Sequence, residues 1–342
     1  MNAEDIARLP KAELHLHVEG TLEPELAFEL AERNHVELPA RTVEELRSRY
    51  QFEDLQSFLD LYYACMAVLR TREDFCALAT AYLEKAAGQG VRHVEMFFDP
   101  QGHTSRGIAI DTVIDGLLDA LRDAEQRLGV SGGLIMCFLR HLSAEDASAT
   151  LESVAHRAGD LLGVGLDSTE VGNPPSNFVD VFARARQLGL HAVAHAGEEA
   201  PPSYIREALD LLGVERVDHG VTCVDDPELV RRLAAEQIPL TMCPLSNVRL
   251  QAVASLADHP AMRLLDAGVK VTVNSDDPSY FGGYIADNFI GLASTFGLTT
   301  EQLAGLAANS VTASFLPAQR QQELLTEIEA WRDEVAGSGS GA

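Results

Sequence analysis

Eight short β-like runs recur along the chain, most of them separated by helical stretches, and this rhythm constrains the fold more than any other feature. The runs are KAELHLHV (11–18), VRHVEMFF (91–98), GGLIMCFL (132–139), LLGVGLD (161–167), LHAVAHA (190–196), RVDHGV (216–221), IPLTMCP (238–244) and VKVTVNS (269–275). Between them stand amphipathic stretches such as DTVIDGLLDALRDAEQRLG, FVDVFARARQLG and YIREALDLLG. Several of these end in Gly, as helix C-termini tend to. Eight βα units predict an α/β fold, a (β/α)8 TIM barrel. The rival, an open doubly wound sheet, usually has fewer strands and a Gly-rich phosphate turn after the first. HVEGT is not that turn.

One segment breaks the rhythm. Residues 19–90 separate the first two strands, far more than one crossover helix needs. They read as a helical insertion after strand one, at the C-terminal rim where barrel active sites lie. It could cap the mouth or add structural bulk. Phe58, Tyr62 and Tyr63, at helical spacing, read as core rather than pocket lining. The expected organisation is one barrel domain over residues 1–335, insertion included, with 336–342 as a flexible tail.

The first strand carries His15 and His17 one residue apart. Side chains alternate along a strand, so these imidazoles share a face while Leu14, Leu16 and Val18 point into packing. The other strands also end in polar chemistry: Asp99, then Arg140 with His141, then Asp167 and Glu170. HAGEE supplies His195, Glu198 and Glu199, VDHG supplies His219, and SDDP supplies Asp276 and Asp277. Strand C-termini of a barrel converge on one pocket, so residues remote in sequence meet. His15, His17, His195 and Asp276 form a nitrogen-rich set with one carboxylate. Such a set suits Zn2+, with Fe2+ or Mn2+ also compatible. A metal there lowers the pKa of water toward neutrality. Glu198 and His219 stand beside it as candidate proton handlers. Many two-metal barrel hydrolases use a lysine at the end of strand four. GLDSTEV has none, which favours one metal per chain.

Composition narrows the partners. The net charge is −26 and lysine occurs only at Lys11, Lys85 and Lys270. Without a basic stripe, nucleic acid and anionic membrane are not expected partners. Five cysteines with no CxxC pair fit a reduced, cytoplasmic protein. MNAEDIARLP is acidic and does not read as a signal peptide. Assembly into a homo-oligomer is left open.

The motifs LHLHVEG, HAGEE, VDHG, CPLSN and VNSDDP, in this order over roughly residues 8–315, resemble the adenosine/adenine deaminases of the metal-dependent amidohydrolase superfamily. The resemblance implies a single zinc at His15, His17, His195 and Asp276, and hydrolytic replacement of a purine 6-amino group by oxygen. It implies that Glu198 delivers a proton to the ring nitrogen beside the amino-bearing carbon. His219 would orient and polarise the attacking water, and Asp277 would hydrogen-bond the imidazole edge of the purine. The nucleoside enzymes typically read HLDG after strand one, with an aspartate near the sugar. Here the matching residue is Glu19, one methylene longer. Glu19 follows His17 by two, so an extended strand would turn it toward the pocket mouth, against the N9 or N3 edge of a bare base. MFFDPQGHTSRG and DSTEVGNPP also depart from the nucleoside pattern and are similar to the bacterial and fungal adenine deaminases. The expected reaction is adenine to hypoxanthine and ammonia, in purine salvage or nitrogen catabolism. The alternatives are deamination of adenosine or of another 6-aminopurine derivative such as aminodeoxyfutalosine, or a catalytically dead barrel that only binds.

Overall fold

The computed structural model describes residues 2–52 and 55–339. Its eight strands are β1 (Lys11–His17), β2 (Val91–Phe98), β3 (Ser131–Leu139), β4 (Gly163–Asp167), β5 (His191–Ala196), β6 (Arg216–His219), β7 (Leu240–Met242) and β8 (Val271–Val273). All neighbours pair in parallel in the order β1 to β8. The ring closes just beyond β8, where the His17 N–H donates to the Asp276 carbonyl at 3.0 Å and the Asp276 N–H to the His15 carbonyl at 3.1 Å. The protein is a (β/α)8 TIM barrel.

The strands begin or end a residue or two inside several of the expected runs. At β6 local geometry explains the trimmed C-terminal end: His219 takes a positive φ of 62°, which ends extended pairing there, and Asp276, just after the bridge that closes the barrel, takes 66°. Such conformations are costly for residues with a Cβ and persist where surrounding structure enforces them.

Packing forms two layers. Leu14, Leu16 and Val18 lie in the large core between the barrel and its helices. Phe97, Ile135, Cys137 and Val193 form a small separate cluster. Below them Glu95 and Arg216, both fully buried, pair at 2.5 Å. Among its described residues, segment 19–90 holds a 3-10 turn (Glu19–Thr21) and four helices, Pro24–Asn34, Val43–Ser48, Leu55–Met66 and Arg72–Gly88. Thr71 and Asp74 form a capping box that starts the last of them. The final helix, Ala318–Gly339, runs into the segment read as a tail, of which 340–342 lie outside the described residues.

Three strand ends repeat one device. Asp99–Pro100 after β2, Cys243–Pro244 after β7 and Asp277–Pro278 after β8 each open a short helix with Pro at its first turn. Proline keeps the preceding residue out of the helical region and suits the first helical position itself. The side chain before it makes no capping bond in any of the three. The Asp99 and Asp277 side chains line the barrel mouth, while the Cys243 thiol turns to the Thr241 carbonyl.

Candidate active site

The imidazoles of His15, His17 and His195 converge with the Asp276 carboxylate at the C-terminal mouth. His15 Nε2 and His17 Nε2 lie 3.2 and 3.5 Å from Asp276 Oδ1. His17 Nε2 and His195 Nε2 face each other at 3.1 Å. Every Nδ1 of the trio turns outward to an oxygen. That of His15 meets the Thr241 carbonyl at 3.2 Å and Oγ1 at 3.0 Å. That of His17 faces Asp167 at 3.5 Å, and that of His195 faces Asp218 at 3.6 Å. Outer oxygen partners of this kind orient imidazoles that ligate through the other nitrogen. His15 Nε2, fully buried, makes no hydrogen bond among the described residues despite its neighbours. Facing nitrogens and an orphaned Nε2 fit a shared cation better than they fit one another. Three imidazoles and a carboxylate are also the donor set that Zn2+ accepts.

The electrostatics match that use. Burial and the neighbouring His15 and His17 hold His195 well below its usual range, so it stays neutral. Against its own burial, Asp276 is held far below the carboxylate range, chiefly by His15. Ser246 Oγ donates to Asp276 Oδ2 at 2.6 Å and fixes its second oxygen.

His219 shares this cluster but is held differently. The Ala261 N–H donates to His259 Nδ1 at 3.2 Å, so the proton of His259 sits on Nε2. That Nε2 meets Asn247 Oδ1 at 3.2 Å, which turns the Asn247 amide nitrogen to His219 Nδ1 at 3.1 Å. His219 Nδ1 therefore accepts and its Nε2 carries the hydrogen. Burial and His15 push His219 down to about 3, so it remains neutral. Its Nε2 points between Glu198 Oε2 at 3.5 Å and Asp276 Oδ2 at 3.8 Å.

Glu198 is buried, and burial together with Asp276 and Glu170 pushes its carboxyl well above the ordinary range. Its Oε1 has no hydrogen-bond partner among the described residues. The turn that carries it is organised by Glu170, whose carboxylate accepts the N–H groups of Gly197, Glu198, Glu199 and Ala200 at 2.6, 3.1, 2.9 and 2.8 Å. Asp277 is likewise pushed up by burial and by Asp276. It fits only because residue 20 is glycine: a Cβ there would lie 1.9 Å from Asp277 Oδ1.

A cavity opens above these groups at the barrel mouth. His17, His195, Glu198, His219, Asp276 and Asp277 line it. So do Phe58, Tyr62 and Tyr63 from helix Leu55–Met66; Phe58 and Tyr62 belong to the hydrophobic core and Tyr63 packs against it, so they are core as expected and line the pocket as well. Glu19 needs a correction. The strand stops at His17 and Val18 is helical, so the two-residue alternation fails before Glu19. Its carboxylate does not line the cavity. Oε1 instead accepts from His103 Nε2 at 2.8 Å and from the Asp99 N–H at 3.1 Å. Asp99 and Asp167, strand-end residues without an assigned role, do line the cavity. Their signal was position alone: each closes a barrel strand. Ser246 and Asn247 lay within CPLSN, but nothing in the sequence indicates which side chains they support.

The adenosine deaminase family model matches residues 10–331, nearly the whole chain. The chain belongs to the adenosine deaminase family. Within this metal-dependent amidohydrolase family, a Streptomyces coelicolor protein named adenine deaminase is 58% identical over 95% of this chain and 96% of its own length. An adenine deaminase from Sphingopyxis alaskensis is 56% identical over 95% of this chain and 96% of its own. A crystal structure of adenine deaminase from Arthrobacter aurescens superposes with a TM-score of 0.93 at 55% identity, covering 94% of this chain and 99% of that one. A Burkholderia ambifaria amidohydrolase with bound Zn, 28% identical, covers 98% of this chain and 94% of its own with a TM-score of 0.89.

Proposed function

We infer that this chain is an adenine deaminase, converting adenine and water to hypoxanthine and ammonia. The adenine deaminases named above, alike over almost their full lengths, support the substrate. The observation that carries the chemistry is Glu198: a buried carboxyl, raised well above its ordinary range and with a free oxygen, set beside a histidine–aspartate cluster in the cavity at the barrel mouth.

His15, His17, His195 and Asp276 would hold one metal ion, which we take as zinc. Bound there, it supplies Lewis-acid activation of a water molecule. We keep His219 out of the ligand set, because its Nε2 carries hydrogen and offers no lone pair. Its N–H instead orients the attacking water oxygen toward C6. Attack at C6 drives electron density onto N1, and Glu198 delivers its proton there. Such placed acids contribute about 10²–10⁴ in rate. The tetrahedral carbon then collapses: of the two protons the water brought, one passes to the amino group, which leaves as ammonia, and the other returns to Glu198, so C6 keeps the oxygen as a carbonyl and N1 keeps the proton it received. Asp277, holding a proton, donates to N7 and fixes the imidazole edge. Leu55, Phe58 and Leu59 cover the ring faces and keep bulk water out.

The five cysteines are unpaired and mostly buried, which supports a cytoplasmic enzyme. Among the described residues no helix is long and apolar enough to cross a membrane. A panel of adenine, adenosine, deoxyadenosine and aminodeoxyfutalosine, followed by loss of amino-purine absorbance, tests the reading. Adenine should exceed adenosine in kcat/KM by about 10³-fold. Equal values or a preference for adenosine would overturn the free-base assignment.

A further inference from the structure

We propose that Asp99 makes this site selective for a free purine base, its carboxyl accepting the ring N–H that a nucleoside has lost. The inference rests on the adenine reading and names the group that enforces it.

Asp99 and Asp277 are counterparts. Each precedes a proline that opens a helix, with φ and ψ of −108° and 82° for Asp99 and −112° and 74° for Asp277. Neither caps its helix, both are buried and both line the cavity. In each, Oδ1 has no hydrogen-bond partner among the described residues. An orphaned carboxyl oxygen in a closed pocket is costly unless a ligand answers it. At Asp277 the purine N7 does so in the reading above. Asp99 has no such assignment.

The remaining purine heteroatoms supply one. With C6 at the histidine cluster, N1 at Glu198 and N7 at Asp277, only N3 and the N9–H still seek polar partners. The other wall of carboxyls is Asp99 with Asp167, Oδ1 of Asp167 being orphaned too. His17 links the two walls: its Nε2 faces Asp276 and its Nδ1 faces Asp167. The ligand atoms of His17, Asp99 and Asp167 lie within 4.8 Å of one another. Asp99 thus stands with Asp167 on one side of His17 while Asp276, beside which the reacting carbon is placed, stands on the other, and the far end of the purine is set against Asp99. A carboxyl keeps an acceptor oxygen whether or not it holds a proton.

Its placement is enforced from outside the pocket. Arg106 Nη2 donates to His103 Nδ1 at 2.7 Å, so His103 donates from Nε2 to Glu19. Glu19 then anchors the Asp99 backbone N–H. Glu19 is accordingly a positioning residue for Asp99 rather than a direct contact to the base. An N9 substituent removes the donor, crowds this wall and leaves the buried carboxyl unpaired. Sites built on a substrate N–H reject analogues lacking it by orders of magnitude.

The test compares metal-loaded wild type and Asp99→Ala on adenine and 9-methyladenine, which differ only in that N–H and its methyl replacement. Wild type should favour adenine in kcat/KM by about 10³-fold, and Asp99→Ala should shrink this ratio at least about 30-fold, mainly through loss on adenine. Melting temperature and metal content are measured alongside. Asp99→Leu, which matches the carboxyl's shape without an acceptor, must narrow the ratio likewise and serves if the alanine variant misfolds. An unchanged ratio in a folded variant overturns the inference while leaving adenine deamination standing. Loss of a bound metal equivalent with Asp99 overturns it too, since the carboxyl would then be a ligand. No adenine turnover by wild type would instead sink the adenine reading itself, and this inference with it.

Discussion

The Glu170 carboxylate accepts the backbone N–H of Glu198 at 3.1 Å, and through that bond and its neighbours one acid holds another in place. The same contact joins geometry to proton affinity, because the Glu170 charge is among the causes that raise the Glu198 carboxyl. Glu198→Gln keeps size but cannot deliver a proton. It should retain metal and still bind purine, with kcat reduced about 10²–10⁴-fold. Metal loss in this variant, read by elemental analysis, would mean that Glu198 is a ligand. Glu170→Gln should move the alkaline limb of the kcat/KM profile to lower pH. Glu198 is active as the acid, and removing a nearby like charge lets it lose its proton sooner. An unmoved limb would separate Glu170 from that titration.

Asn247 reaches no substrate, yet it should matter to rate. It holds His219 in the tautomer whose Nε2 bears hydrogen, and His259 holds Asn247. Asn247→Leu removes the donor to His219 Nδ1 and frees the ring to choose its tautomer. The expected loss is about 10–100-fold in kcat with metal content unchanged. His259→Leu should give a smaller loss in the same direction. Equal metal loading with full activity in both variants would remove the relay from the mechanism.

Stability should carry an acid signature from Glu95. Burial opposes its charge, but Arg216, His93 and the Phe315 N–H bring its carboxyl down to about 2 from a usual 4.5. A carboxylate lowered on folding stabilises above its unfolded value and loses that contribution as pH falls through its folded value. The contribution is about 3 kcal/mol, present above roughly pH 4.5 and lost toward pH 2. Urea unfolding should show Glu95→Gln less stable than wild type at pH 7. The gap should narrow by pH 3. A gap independent of pH would show that packing, not charge, sets the cost.

The sequence made the barrel legible because its signal is repeated: each strand is a separate apolar run, and the eight read the same way. The site was legible in part for the same reason, since strand ends face one mouth. His15 and His17 follow from strand alternation, which holds through β1. Glu19 does not, because a helical Val18 breaks the alternation one residue before it. That turn depends on packing no local pattern records, including the approach of Asp277 to Gly20. The aromatics of helix Leu55–Met66 read as core, and their part in lining the pocket is not legible, because burial against a pocket and burial against a core have the same apolar periodicity. Supporting groups such as Glu170, Asn247 and Ser246 were invisible as supports. Their partners are distant in sequence, and hydrogen bonding across a barrel leaves no spacing to read.

The histidine–aspartate cluster leads to the last expectation, that metal is part of the folded state as well as of the chemistry. His15 Nε2 and Asp276 Oδ1 lie 3.2 Å apart without a hydrogen bond of their own, and His17 and His195 turn Nε2 toward each other. Without a cation, lone pairs and an anion crowd a fully buried space, an arrangement that costs stability. A ligand that binds only the native state stabilises it by mass action. Purified protein should therefore carry close to one transition-metal equivalent per chain. Chelation should abolish turnover and lower the melting temperature, and added Zn2+ should restore both. His17→Ala or Asp276→Ala should strip the metal and remove activity. Ser246→Ala should keep the ligands but free one oxygen of Asp276, weakening metal affinity about 10–100-fold. Full turnover by a demonstrably metal-free preparation would overturn the metal assignment, and a chelator-insensitive melting temperature would confine the ion to catalysis.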